Sequence, residues 1–159
     1  MTGCNQLDNF DTRILKALQA DGRLGNAELA EHAKLSASQC SRRRQSLEAS
    51  GVISGYHASL SREKTGFSLI NFITVTLSRH NKDNATRFAT LMANMPEVLE
   101  AHALTGEMDY ILKVVTRDLA GLAALVNEQL LQHESVQNVK TSVVLNTIKE
   151  TTALPLDTK

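Results

Sequence analysis

Apolar residues recur at helical spacing through the first fifty positions and switch to alternating spacing after about position 68. In the first stretch, Ile14, Leu15 and Leu18 share one helical face. Asp8 stands before them as an N-cap and Asp11 lies in the first turn, which predicts a helix from Asn9 to Ala20 with Gly22 as a left-handed stop. A second helix fits Asn26 to Ala33, with Ala27, Leu29, Ala30 and Ala33 on its apolar side and Glu28 near its start. Lys34-Leu35-Ser36 forms a turn. Ser36-Ala37-Ser38-Gln39 has the form of a capping box, in which the hydroxyl and the amide satisfy each other's free backbone N–H groups. A third helix starts there and runs to about Ala49, before Ser50-Gly51.

Val52 to Leu60 reads as an extended segment bent at Gly55, either a wing or a linker strand. The charged and small residues of Ser61-Arg62-Glu63-Lys64-Thr65-Gly66 mark a boundary. Beyond it, Leu69 to Leu77 is β-branched and alternating, with Leu69, Ile73, Val75 and Leu77 on one side. Ala85, Phe88, Ala89, Met92 and Met95 return to helical spacing until Pro96. Two strands, Val98 to Leu104 and Tyr110 to Thr116, flank a turn centred on Gly106. A helix carrying Leu119, Leu122, Ala123, Val126 and Leu130 follows, then a last strand from about Val136 to Ile148. Two βαβ half-units in succession give the ferredoxin-like βαββαβ order. The expected fold class is α+β: a helix-turn-helix domain over 1–60, a linker over 61–67, a ferredoxin-like domain over 68–150 and a tail over 151–159.

Composition sets limits on function without naming one. The chain has 159 residues, 17 Lys and Arg against 17 Asp and Glu, and no apolar run near the roughly 20 residues a membrane helix needs. The N-terminal segment lacks the basic and apolar regions of a signal peptide. Cys4, in an expected frayed terminus, and Cys40, in an apolar helical slot, form no CxxC pair and read as reduced thiols. A cytoplasmic location without membrane attachment is therefore expected. His32, His57, His80, His102 and His133 are dispersed, and no GxSxG, P-loop or HExxH motif occurs, so neither an enzyme nor a metal site is expected.

Zero net charge argues against nucleic acid until its distribution is considered, because Ser41-Arg42-Arg43-Arg44 concentrates positive charge inside the third helix. Two short helices joined by a tight turn, the second carrying arginines, fit a helix-turn-helix whose second helix enters the major groove. At about 100° per residue, Cys40, Arg44 and Leu47 fall on one side and Ser38, Ser41, Arg42 and Gln45 on the other. Arg bonds guanine, Gln bonds adenine and Ser serves either role, so those four are the base-edge candidates. Arg43 lies on the flank, open to a phosphate contact or an internal carboxylate pair. With the helix start included, the DNA-contacting set is Ser36, Ser38, Gln39, Ser41, Arg42, Arg43 and Gln45. The competing reading is an amphipathic helix with a solvated basic face.

The Gly106 turn has a chemistry of its own. Glycine permits close approach of a ligand, neighbouring N–H groups can take a carboxylate, and Asp109 can accept from an ammonium group. An ordinary β-turn, with Asp109 capping its own backbone, is the alternative.

Along nearly its whole length the chain resembles the Lrp/AsnC family of feast/famine regulators. Leu7-Asp8 with Asp11, Ile14-Leu15, Gly22-Arg23, Glu28-Leu29-Ala30, Leu35-Ser36, Arg42-Arg43, Leu47-Glu48 and Gly51-Val52-Ile53 carry the likeness in the first domain. Thr105-Gly106-Glu107-Met108-Asp109-Tyr110 resembles the family's Gly-x-x-Asp-Tyr turn in the second. Gly25 replaces the usual Ser or Thr cap, a change expected to cost only a few tenths of a kcal/mol. Arg44 replaces a usual aliphatic core residue, with its stem expected along the core and its guanidinium at the surface.

The resemblance implies a transcription regulator of amino-acid metabolism that binds double-stranded DNA, uses no cofactor and responds to an amino-acid effector such as leucine or methionine. It further implies a homodimer assembling to an octamer. Its effector site would combine Leu104, Gly106, Asp109 and Tyr110 with Ser142, Val143 and Val144 of a neighbouring subunit. An effector-independent DNA-architectural protein and a regulatory subunit docking to protein are the alternatives.

Overall fold

The computed structural model describes residues 7–78 and 82–157, so Cys4 and His80 lie outside the described residues. The chain divides into two compact units, Met1–Ser59 with Lys149–Lys159, and Leu60–Ile148.

The first unit is built on three helices, α1 (Asn9–Ala20), α2 (Asn26–Ala33) and α3 (Ala37–Ala49). Each begins where a local cap dictates. Asp8 accepts from the Phe10 and Asp11 N–H groups, both at 2.8 Å, while the Asp11 carboxylate accepts in return from the Asp8 N–H. Glu28 reaches back to the Gly25 N–H at 2.7 Å, supplying the carboxylate half of a box whose cap residue has no side chain. Ser36 and Gln39 complete their box reciprocally at 3.3 and 3.0 Å. Such caps contribute about 1 kcal/mol each.

The expected left-handed stop at Gly22 does not form. α1 ends in extended backbone at Asp21, whose carboxylate accepts from the Arg23 N–H, and the left-handed residue of the motif is instead Lys34, at φ 56° after α2. Ile14, Leu15, Leu18, Leu29, Ala33, Cys40 and Leu47 close the core between the helices. Residues 52–60 form no strand, and a single extended segment without a neighbouring strand has no ladder to join. Tyr56 still fixes this segment to the helices, because its hydroxyl donates to Glu48 at 2.8 Å and its ring lies 4.7 Å under the Arg44 guanidinium. The segment expected as a tail also folds here, with Leu156 packed on the same core.

The second unit contains β1 (Leu69–Leu77), α4 (Lys82–Ala93), β2 (Val98–Ala103), β3 (Tyr110–Thr116), α5 (Leu119–Ala124) and β4 (Val136–Val143). All neighbouring strands run antiparallel in the order β2-β3-β1-β4, which is the ferredoxin-like sheet. Its helices cover one face, where Ile73, Val75, Leu112, Val114, Phe88, Met95, Leu122, Leu125 and Leu130 form the core. Three local expectations change. Ala89 is exposed, and Leu91 packs on the core instead. The helix of Leu119 to Leu130 widens after Ala124 into a π-helical stretch over Leu125–Leu130, with Leu131 donating to the Val126 carbonyl, and Leu119 and Ala123, in the α-helical turns before it, are exposed. β4 stops at Val143, with Val144 still donating to the Ile70 carbonyl, and beyond it Leu145 and Ile148 are 99% and 95% exposed.

Candidate nucleic-acid interface and effector turn

Helix α3 presents two chemically distinct sides. Cys40 and Leu47 are buried in the core, which turns Ser38, Arg42 and Gln45 to solvent with Ser41 half-buried beside them. Burial pushes the Cys40 thiol up, against the opposing pull of Arg43, so it packs as a small apolar group rather than a reactive thiolate. Ser36 and Gln39 are exposed at the helix start but already engaged in the capping box, and the Gln39 Oε1 accepts from both the Ser36 N–H and hydroxyl.

The three consecutive arginines have three different environments. Arg42 is exposed and carries no ion pair among the described residues. Arg43 lies across to α1, its Nη1 2.8 Å from Asp8 and 2.7 Å from Asp11, with its guanidinium 5.3 Å from the Phe10 ring centre. Of the two roles open to Arg43, the carboxylate pair is the one observed, which counts against its place in the DNA-contacting set. Although partial burial pushes the Asp8 carboxyl up, hydrogen bonds from the Asp11 N–H and Arg43 outweigh it and hold the group below the usual carboxylate range. Arg44 does not send its guanidinium free into solvent. Nη1 donates to the Leu24 carbonyl at 3.1 Å and Nε to Glu48 at 3.1 Å, both beside the Tyr56 ring. An aliphatic residue would fill that slot by packing alone, whereas Arg44 also ties α3 to the turn before α2 and to the segment after Gly51.

In the second unit, the turn after β2 places Gly106 in the left-handed region at φ 124°, exposed, with nothing within 4 Å of where a Cβ would stand. A molecule can approach the backbone closely there. The Asp109 Oδ2 accepts from the Leu77 N–H at 2.7 Å, and the Asp109 backbone N–H donates to the Val75 carbonyl at 3.1 Å. The carboxylate thereby fastens the turn to the end of β1. The Tyr110 ring packs 4.6 Å from Phe88, on the core side of the sheet. Leu104 is 43% exposed, and its N–H donates to the Asp109 carbonyl.

The other expected effector residues lie elsewhere on the same sheet. Ser142 is opposite Phe72 and Val143 opposite Asn71, while Val144 donates to the Ile70 carbonyl. The Gly106 turn adjoins Val75 and Leu77 at the far end of β1. Three to seven residues of strand separate the two groups, roughly 10 to 23 Å at about 3.3 Å per residue. One chain does not bring them together. Sequence spacing gave no sign of this separation, nor of the Arg43 and Arg44 attachments, because all three depend on contacts between distant segments.

A helix-turn-helix with an exposed Ser, Arg and Gln side, joined to a ferredoxin-like unit with an open glycine turn, defines a two-module DNA-binding transcription regulator. Two family models match in the same order: the AsnC-type helix-turn-helix domain over residues 7–48 and the Lrp/AsnC ligand binding domain over residues 71–154. The chain is 39% identical over 145 residues to a leucine-responsive regulatory protein of Rhizobium meliloti, covering 91% of this chain and 93% of the relative. It is 35% identical over 153 residues to the leucine-responsive regulatory protein of Escherichia coli K12, covering 96% and 93%. Among solved structures, a transcriptional regulator of Neisseria meningitidis in complex with L-Met superposes with a TM-score of 0.92 at 44% identity, covering 95% of this chain and 97% of that one. The chain belongs to the Lrp/AsnC family of DNA-binding transcription regulators. No helix among the described residues is long and apolar enough to cross a membrane.

Proposed function

We propose that this regulator reads operator DNA through Ser38, Ser41, Arg42 and Gln45, with Ser36 and Gln39 at the helix start, and that an amino acid bound between copies of the chain adjusts that reading. The observation that carries the DNA half is the exposed Arg42 beside Ser38 and Gln45, on the side of α3 opposite the buried Cys40 and Leu47. Arg43 supports the same surface from beneath, held by Asp8 and Asp11. A dimer presenting two such helices spans half-sites about 34 to 36 Å apart or a multiple of that distance.

For the effector half, the open Gly106 turn with Leu104, Asp109 and Tyr110 supplies one part of a pocket, and Ser142, Val143 and Val144 of another copy supply the other. The separation of these groups on one sheet supports a shared site. Leucine or methionine fits the apolar surroundings, and relatives whose names specify leucine response and an L-Met complex point the same way. The sheet face away from the helices leaves Phe72 40% exposed in register with Lys113 and Ser142, a surface suited to a second copy in a homodimer that assembles further to an octamer. The working location is the cytoplasm, where operator DNA and free amino acids meet.

The test pairs a thermal-shift screen of the twenty amino acids with DNA-binding titrations on the gene's own upstream sequence. Stabilisation by leucine or methionine, with DNA affinity altered by the same ligand, is the expected result. Uniform affinity across unrelated sequences, strong salt dependence and no ligand effect would instead identify an architectural protein.

A further inference from the structure

Residues Lys149–Lys159 follow the regulatory unit in sequence yet belong to the DNA-reading unit. The attachment is specific. Gln19, in the last turn of α1, donates from Nε2 to the Leu154 carbonyl at 3.2 Å, and the Leu154 N–H donates back to Gln19 Oε1 at 2.6 Å. Two residues on, Leu156 packs against the core formed by Ile14, Leu18 and their neighbours. The segment also turns on itself, with Ala153 donating to Thr151 Oγ1 and Leu156 to the Leu154 carbonyl. The opposite end of α1 carries Asp8 and Asp11, which hold Arg43 on the reading helix. A helix of 12 residues is about 18 Å long. α1 therefore joins the C-terminal attachment at one end to the reading helix at the other.

We propose that this segment is a strap through which the state of the regulatory unit positions α3, with Gln19 and Leu156 as positioning residues. The proposal rests on the effector reading above, in which Ser142 to Val144, immediately upstream of the strap, contact the ligand. Two covalent passages connect the units, at Ser59–Leu60 and Ile148–Lys149, and the second ends on α1. The strap is held loosely enough to serve as a switch. Two exposed hydrogen bonds, each shifting an equilibrium roughly two- to tenfold, and one half-buried leucine fall within the 5- to 150-fold range of ordinary allosteric coupling.

The experiment uses full-length wild type, Gln19→Ala, Leu156→Ser and the conservative Leu156→Met. Affinity for leucine and methionine is measured by calorimetry, DNA affinity with and without saturating ligand by titration, and strap release by amide exchange over residues 150–156. The expected result for Gln19→Ala and Leu156→Ser is ligand affinity within about twofold of wild type and faster strap exchange. The ratio of DNA affinities with and without ligand should fall to within about twofold of one, while Leu156→Met keeps the wild-type ratio. An unchanged ratio despite faster exchange overturns the proposal. So does an equal fall of both DNA affinities, which would make the strap a purely structural brace. If wild type binds none of the twenty amino acids, the effector reading itself fails, and calorimetry on wild type identifies that failure separately.

Discussion

Replacing Arg43 with alanine should damage the reading unit's stability and leave its base preference intact. The guanidinium meets two carboxylates, Asp11 at 2.7 Å and Asp8 at 2.8 Å, with side-chain exposures of 28% for Arg43, 18% for Asp11 and 47% for Asp8. Hydrogen bonds to charged groups contribute about 1.5 to 3 kcal/mol when shielded, and exposed pairs about 0.2 to 1 kcal/mol. The Asp11 bond belongs near the first range and the Asp8 bond in the second. Stacking on Phe10 adds about 0.5 kcal/mol. Together the loss is about 2 to 4.5 kcal/mol, with Asp11 and Asp8 also left facing each other without a counter-charge. For a unit of this size that is roughly 10 to 35 °C in Tm.

Urea and thermal denaturation measure the stability loss, and a double-mutant cycle with Asp11→Asn isolates the pair. Titration across operator variants, well below the melting temperature, measures base preference. Arg42→Ala should give the converse: unchanged stability, a loss of about 1 to 3 kcal/mol in DNA binding and relaxed preference at one base pair. An Arg43→Ala protein as stable as wild type but less selective for sequence would refute the reasoning and return Arg43 to the reading set.

Asp109→Ala should cost the regulatory unit about 1 to 3 kcal/mol by leaving the Leu77 N–H without its acceptor, and should abolish the amino-acid response while DNA binding persists. Calorimetric ligand affinity equal to wild type would remove the turn from the effector site. Stability should also decline in acid. Asp8 is held below the usual carboxylate range, Glu48 by hydrogen bonds from Tyr56 and Arg44, and Glu100 by His102 and Lys113. A lowered folded-state pKa contributes stability above the ordinary carboxylate value near pH 4, which is lost as pH falls through the lowered value. Urea midpoints between pH 6 and 2 test this, and Arg43→Ala should flatten the Asp8 part. Gly66→Ala should cost about 1 to 2 kcal/mol in chemical denaturation, because φ is +84° there, whereas the clash of a Cβ with Arg117 Nη1 is relieved by moving a flexible guanidinium. A loss below about 0.5 kcal/mol would mean that the turn around Gly66 relaxes.

The helix limits of the reading unit were legible because caps are local. Asp8 with Asp11, and Ser36 with Gln39, act over three residues, and such spacings survive folding unchanged. The outward side of α3 was legible by rotation, since Cys40 and Leu47 fix which way the helix faces. What escaped the sequence depends on contacts between distant segments. The overextended β4 came from Leu145 and Ile148, which continue an apolar pattern past the last paired residue, Val143. The sequence reads Asp109 as an acceptor for a ligand's ammonium group, with self-capping as the alternative, whereas its Oδ2 accepts from Leu77 on another strand. The strap left a faint signal in Leu154-Pro155-Leu156, apolar residues in an otherwise polar terminus, but nothing in that signal named Gln19 as their counterpart.

The distance between the Gly106 turn and Ser142 to Val144 on one sheet has a consequence for dosage. A ligand that needs both groups binds a pair of chains, so its apparent affinity rises with the amount of regulator as well as with its own concentration. By the same linkage an amino acid bound in the proposed site would promote the contact that creates it. Doubling gene copy number would then shift the nutrient level at which target genes respond, with no residue altered.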